Sequence, residues 1–131
     1  LGAPYAPDGD TRTRIVKAFD VITEHECRIG ERLLSYLRQR EDCRIIGRQS
    51  GLDAQRVPTI SFKLDGLDSG DVARKMDDYR LAIRFGDFHA RRLIEFLGIE
   101  HDGGVVRVSM AHYNTLDEVD TLVRALDALR T

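Results

Sequence analysis

The stretch GVVRVSMAHYNTLDEVD, residues 104–120, is the most informative part of the sequence because its pattern changes from that of a strand to that of a helix. Strand side chains alternate between two faces, so Val106 points one way and Arg107 the other. Thr115 and Glu118 then have the T-x-x-E spacing of a helix-capping box, and apolar residues follow at helical spacing. We therefore predict a strand, a turn and a helix, with a charged side chain on the strand face opposite the core.

Before this stretch, two prolines, two glycines and little periodicity predict an irregular arm over residues 1–12. Helical hydrophobic periodicity then predicts a long helix over residues 13–39. Such a helix is roughly 40 Å long at about 1.5 Å per residue. A chain of this length has a radius of gyration of only about 14 Å, so we expect the N-terminal end of the helix to overhang. The further predicted elements are the strands CRIIG (43–47), VPTISFKL (57–64) and LAIRFG (81–86), and the helices LDSGDVARKMDDYR (67–80) and FHARRLIEFLG (88–98).

These elements predict an α+β fold, an α/β sandwich in which a mainly antiparallel sheet carries its helices on one face. Residues 13–131 form the single domain. The second sheet face is polar, and two of its side chains are arginines, which repel each other unless they are solvated or share an anion. For a single strand arginine, the plainer interpretation is exposure to solvent or pairing with a local carboxylate. The polar-face residues are Thr59, Ser61, Lys63, Arg84, Arg107 and Ser109.

Composition excludes several classes of function. The chain has 131 residues, of which 42% are hydrophobic, which suits one domain. Its 20 basic and 22 acidic residues give a net charge of -2, which argues against nucleic-acid or anionic-membrane partners. We find no apolar run of about 20 residues and no charged-then-apolar leader, so we expect a soluble, cytoplasmic protein with two reduced cysteines.

Candidate metal and catalytic residues are few. His25, Glu26 and Cys27 lie within one helical turn but point in different directions, so we expect no metal site. We place His89 in the first turn of a helix capped by Asp87, where a neutral imidazole would lie beside bound anions, although an ordinary surface role is the alternative. The sequence contains no glycine-rich phosphate loop, nucleophile elbow or C-x-x-C motif.

Three segments together carry a family resemblance. RVPTISF, IRFGDFHARRL and VVRVSMAHYNTLDEVDTLVRAL, in this order, resemble the C-terminal small domain of class V aminotransferase-type enzymes of fold type I, which include cysteine desulfurases. The resemblance runs from about residue 14 to residue 130. It implies that Arg107 binds the α-carboxylate of an amino-acid substrate, with Arg84, His89 and Asn114 as active-site neighbours.

The same resemblance implies a pyridoxal-phosphate cofactor whose Schiff-base lysine lies in a large domain, and it implies a homodimer. Lys17, Lys63 and Lys75 do not match that lysine, so we expect no catalytic residue in this chain and no cofactor bound to it alone. His89 occupies the place of the desulfurase cysteine. A histidine cannot accept sulfur as a thiolate does, so we do not expect desulfuration.

Two hypotheses follow from the sequence. The first is a small-domain portion of a pyridoxal-phosphate enzyme, which supplies recognition of the substrate carboxylate and whose partner is the missing large cofactor domain. The second is a self-contained small-acid-binding or regulatory and dimerisation module without catalysis. The first hypothesis also predicts that the polar sheet face is uncovered, or covered only by another copy of the chain.

Overall fold

A computed structural model describes residue 4, residues 6–52 and residues 56–129. The described chain alternates between helices and the strands of a single sheet, in the order that the sequence predicts. The elements are α1 Thr11–Arg38, β1 Cys43–Ile46, β2 Thr59–Leu64, α2 Ser69–Asp77, β3 Arg84–Gly86, α3 Arg91–Leu97, a 3-10 helix Glu100–Asp102, β4 Val105–Ser109 and α4 Leu116–Asp127.

The four strands form one sheet in the order β1-β2-β4-β3, and every neighbouring pair is antiparallel. Ile60 lies opposite Val108 and Phe62 lies opposite Val106, so the apolar side chains of β2 and β4 share a face. This confirms the predicted fold class of a mainly antiparallel sheet with helices.

The main core lies between the first sheet face and the helices α1, α2 and α4. The alternation in β2 and β4 buries every second residue there, because side chains two apart on a strand point the same way. The helices meet the sheet with apolar residues at helical spacing, as predicted. The most deeply buried members are Ile29, Leu33, Leu37, Ile60, Phe62, Met76, Val106 and Leu126.

Helix α1 has a buried C-terminal half and a largely exposed N-terminal half. Leu33 and Leu37 are fully buried, whereas Phe19 is 61% exposed and Ile15 is 43% exposed. The expected overhang is therefore confirmed. The helix begins at Thr11, two residues before the predicted start, because Asp10 caps it by accepting a hydrogen bond from the Thr13 amide at 2.8 Å. Of the predicted irregular arm, residues 1–3 and 5 lie outside the described residues, as do residues 130 and 131 at the other end.

The second sheet face is covered at one end, which differs from the expectation of a bare face. Val105 alternates with the core residue Val106 and packs instead in a second cluster with Ile94 and Ile99. The short α3 and the 3-10 helix therefore lie over this end of the second face. The remaining part, which carries Ser61, Arg107 and Arg84, has no helix packed on it among the described elements.

Lys63 was expected to face solvent, but it is buried, because the 3-10 helix covers its end of the sheet. Its ammonium donates to the Leu64 carbonyl at 2.6 Å and to the Leu67 carbonyl, and it lies 3.5 Å from an Asp102 carboxylate oxygen. These oxygens replace the water that a buried ammonium requires. The lysine is therefore a structural residue.

The predicted strand over residues 81–86 is shorter in the structure, where only Arg84–Gly86 pairs with β4. Leu81 does not join the strand, because its amide donates to the Met76 carbonyl of α2 at 3.1 Å. Arg80 before it has a left-handed φ of 59°. Leu81 and Ile83 nevertheless pack against the main core, as the alternation predicted.

Helix α4 begins with the predicted capping box. The Glu118 amide donates to the Thr115 hydroxyl at 3.2 Å, and the Thr115 amide donates to the Glu118 carboxylate at 2.7 Å. The hydrogen bond from the Thr115 amide lowers the pKa of Glu118, since it favours the charged carboxylate. None of the helices in the described residues has both the length and the apolar composition to cross a bilayer.

We predict that Thr115→Ala lowers the free energy of unfolding by about 1 kcal/mol, because the amide of Glu118 loses its side-chain acceptor. Thr121→Ala is the matched control: the same change in the same helix removes a hydroxyl that donates back to the Asp117 carbonyl and accepts from the exposed Arg124 side chain. Alanine is the better helix former there, so this control should be neutral or slightly stabilising. Urea unfolding of both variants measures the difference, and equal effects would show that the box contributes nothing.

Candidate anion-binding site

The two arginines of the polar face are direct neighbours in the sheet. Arg84 of β3 lies opposite Arg107 of β4, and Ser61 of β2 lies opposite Arg107 from the other side. Residues directly opposite in an antiparallel pair have Cβ atoms roughly 4.5–5.5 Å apart. The register therefore places two guanidinium side chains beside each other on the part of the second face that lies outside the α3 cover.

Among the described residues, no acidic side chain forms an ion pair with Arg84 or Arg107. Within the described parts of the chain, neither Arg84 nor Arg107 has a hydrogen-bond or ion-pair partner, and the buried Nε of Arg107 has no acceptor. Like charges directly opposite each other are destabilising, and a buried donor without an acceptor adds to that. An anion would relieve the repulsion, because a guanidinium group binds a carboxylate or phosphate through two parallel hydrogen bonds. The geometry therefore suits a small anion.

The loop after β3 contributes an aromatic ring to this site. The guanidinium carbon of Arg107 lies 3.6 Å from the centroid of the Phe88 ring, in direct cation–π contact. No pattern in the sequence indicates this contact, because it depends on the backbone of residues 87–89 as well as on the strand register. Phe88 is the residue at the site that the sequence interpretation missed.

The prediction that Asp87 caps a helix containing His89 is wrong. Helix α3 begins at Arg91 with Ala90 as its N-cap and with no side-chain capping bond. The Asp87 carboxylate instead accepts a hydrogen bond from the His89 amide at 3.0 Å, and His89 has a left-handed φ of 64°. A helix cannot include this conformation, so His89 is an exposed loop residue beside Phe88 and not a first-turn residue.

Asn114, the fourth predicted site residue, is engaged in the turn before α4. Its side-chain oxygen accepts from the Ala111 amide at 2.9 Å, and its backbone carbonyl lies 2.7 Å from the His25 ring nitrogen Nε2. These bonds tie the turn together and connect it to α1. Arg84 and Arg107 are thus brought together, His89 lies on the loop that carries Phe88, and the contacts of Asn114 are structural.

The three lysines Lys17, Lys63 and Lys75 have different surroundings. Lys63 is buried and bound to two carbonyls, as described above, and Lys17 and Lys75 are exposed on helices beside Asp20 and Asp78. Lys75 also lines a cavity of about 530 Å³ along α2, together with Asp71, Arg74 and Asp78.

The two cysteines are also unsuited to a sulfur-carrying role at this loop, since Cys27 belongs to α1 and Cys43 to β1. Burial raises the pKa of the Cys43 thiol to about 11, so it is protonated at neutral pH. No group of three or more metal-ligating side chains occurs among the residues that the structure describes.

Comparison with known proteins identifies the family. The model of the family described as Aminotransferase class-V matches residues 16–122. The chain belongs to this family. The matched region extends from the exposed half of α1 into α4, so it includes β3, β4 and the loop between β3 and α3.

Curated relatives of this class V chain are several times longer than it. The aminotransferase-like protein FGM3 of Gibberella zeae is 41% identical over 113 residues, which cover 85% of this chain and 28% of that protein. A probable cysteine desulfurase of Halobacterium salinarum is 34% identical over 111 residues, which cover 85% of this chain and 25% of that protein. The chain thus spans about a quarter of the length of these relatives.

Solved structures of the same family share the fold. A cysteine desulfurase of Thermococcus onnurineus superposes with a TM-score of 0.76 at 27% identity, covering 90% of this chain and 28% of that one. The cysteine desulfurase CsdA of Escherichia coli gives a TM-score of 0.68 at 26% identity, covering 95% and 27%. The class V chain therefore has the fold of about one quarter of each of these enzymes.

The opposed arginines generate a prediction about stability. We expect Arg84→Gln to raise the free energy of unfolding by roughly 0.2–1 kcal/mol at low ionic strength, because it removes the repulsion from Arg107. In an Arg107→Gln background the same change should give no gain, and salt should shrink the gain in the wild-type background. Urea unfolding of the four proteins of this double-mutant cycle measures the coupling. A coupling of zero at low salt would show that the two charges do not interact.

Proposed function

We propose that this chain is the C-terminal small domain of a longer pyridoxal-phosphate enzyme of the aminotransferase class-V family, and that it binds the carboxylate of an amino-acid substrate. The observation that carries the proposal is the pair of adjacent arginines without any acidic partner among the described residues. Arg107 is the proposed ligand of the carboxylate.

The position of Arg107 supports this role over that of Arg84. Its guanidinium is half-buried against Phe88, whereas Arg84 is exposed. Partial removal from water strengthens a charge-assisted hydrogen bond, since the local dielectric is lower there. The family resemblance independently assigns carboxylate binding to the arginine at position 107. Arg84 then supplies a second positive charge beside the site.

Three observations support a cofactor domain elsewhere in the protein. Members of this family use pyridoxal phosphate, and Lys17, Lys63 and Lys75 do not match the position of the family's Schiff-base lysine. The chain also covers only 25–28% of the curated relatives described above. We infer that the cofactor and its lysine lie in the remaining part of the longer protein, and that the carboxylate site completes a pocket between the two parts.

The exposed half of α1 is the proposed contact surface for that remaining part. Its exposed apolar side chains at positions 15, 16 and 19 lie on one side of the helix, and a soluble domain rarely leaves such a patch open without a partner. The same surface would serve a second copy of the chain in the homodimer that the resemblance implies. The exposed apolar residues are Ile15, Val16, Phe19 and Val21.

We propose a reaction other than desulfuration, although several relatives are named as desulfurases. His89 occupies the place that the resemblance assigns to the sulfur-accepting cysteine. An imidazole cannot take over a sulfur atom as a thiolate does, and the pKa of Cys43, raised to about 11 by burial, keeps that thiol protonated. The amino-acid substrate is then recognised through its carboxylate, while its sulfur, if it has one, has no acceptor on this loop.

We predict that Arg107→Ala in the longer protein lowers kcat/KM for its amino-acid substrate by roughly tenfold to a hundredfold, since a charge-assisted pair contributes about 1.5–3 kcal/mol. Arg107→Lys should recover little, because an ammonium group cannot reproduce the two parallel hydrogen bonds. Arg124→Ala, an exposed arginine on α4, is the matched control and should leave kcat/KM unchanged. Steady-state kinetics with each proteinogenic amino acid as substrate give these values.

A substrate that lacks the carboxylate sharpens this test. The corresponding amine should react poorly with the wild-type protein, and Arg107→Ala should discriminate between acid and amine far less than the wild type does. A change in kcat/KM of less than about threefold in Arg107→Ala, under about 0.7 kcal/mol, would make Arg107 a structural residue and remove the proposal.

A further inference from the structure

The turn between β3 and α3 has an unusual backbone. Phe88 and His89 are consecutive residues with left-handed φ values of 49° and 64°, a region that glycine and asparagine favour and that a bulky side chain seldom adopts. The Asp87 carboxylate stabilises this conformation by accepting the hydrogen bond from the His89 amide. A phenylalanine in this strained conformation indicates that the position of its side chain has a functional role.

The Phe88 ring contacts both the apolar cluster at the covered end of the second sheet face and the guanidinium of Arg107. One side of the ring packs with the apolar cluster of Ile94, Ile99 and Val105, which fixes it to the body of the domain. The ring also meets the guanidinium of Arg107, with 3.6 Å between the guanidinium carbon and the ring centroid. Phe88 therefore connects a rigid apolar cluster to a charged side chain that would otherwise be flexible.

This contact limits how Arg107 can bind an anion. The ring blocks one approach to the guanidinium, and the Nε atom is buried without an acceptor. Arginine normally loses much rotamer freedom when it binds a ligand, and a side chain that is already held loses less. Arg84, directly opposite in the sheet, is exposed and has no such ring contact.

We propose that Phe88 is a positioning residue, which holds the Arg107 guanidinium in place for a carboxylate and makes Arg107, rather than Arg84, the principal ligand. This inference rests on the proposed carboxylate site at Arg107. On this proposal the strained turn serves binding, because the left-handed backbone at residues 88 and 89 places the Phe88 ring over the Arg107 guanidinium. Phe88 itself need not touch the substrate.

The test combines a spectroscopic signal of the contact with binding of acetate as the probe carboxylate. In ¹⁵N-labelled protein, the Nε–H proton of Arg107 should resonate upfield of the other arginine Nε–H protons, because it lies near the face of the Phe88 ring. Arg107→Gln identifies the signal. Phe88→Leu, which keeps apolar packing against Ile94, should abolish the upfield shift, and Phe88→Tyr should retain it.

Acetate titration, with sodium chloride at matched ionic strength, measures the effect on binding. We expect Phe88→Leu to weaken acetate binding at least threefold and Phe88→Tyr to restore it. The matched control is Phe96→Ala, since Phe96 is a phenylalanine of α3 that is 86% exposed and lies outside the cluster. It should change neither the resonance nor the affinity.

The outcomes separate this inference from the proposed function. Acetate affinity that falls in Arg107→Gln but not in Phe88→Leu overturns the positioning role and leaves the carboxylate site intact. An Arg107 Nε–H signal without an upfield shift in the wild type also overturns the positioning role. Acetate affinity that does not change in Arg107→Gln overturns the carboxylate site itself, and with it the reason for holding the arginine.

Discussion

The antiparallel register between β3 and β4 is the constraint on which the site depends. It places Arg84 directly opposite Arg107, while the same alternation directs Val106 and Val108 into the core. Shifting the register by one residue would exchange the two faces and bury the charges. The main core therefore secures the position of the arginine pair, since the side chains of the core and those of the site alternate along one strand.

A cation that recognises a carboxylate must have a fixed position and must not already be paired with an acidic side chain. The buried Arg40, in contrast, pairs with Asp42, the Tyr36 hydroxyl and the Leu126 carbonyl. Arg107 differs because an aromatic ring holds it while its hydrogen-bonding capacity stays open. Cation–π contact stabilises the guanidinium without using its donors. This combination supports the proposal that Arg107 binds an anion.

Local sequence patterns predicted the parts of the fold that local chemistry determines. Alternation placed Ile60, Phe62 and Val106 in the core, and the spacing of Thr115 and Glu118 predicted the start of α4. The failures depend on contacts distant in sequence or on left-handed backbone. Lys63 is buried because the 3-10 helix packs on its end of the sheet, and Asp87 hydrogen-bonds within a turn instead of capping α3. Periodicity carries no information about either, so Phe88 could not be recognised as part of the site.

The proposal that Arg107 binds the substrate carboxylate can be tested by a crystal structure of the longer protein. The crystal should contain an unreactive carboxylate analogue of an amino acid. Both carboxylate oxygens should lie roughly 2.7–2.9 Å from guanidinium nitrogens of Arg107, the distance of a charge-assisted pair, with the Phe88 ring still against the guanidinium. A carboxylate bound to other residues, with Arg107 in contact only with water, would show that Arg107 is not its ligand.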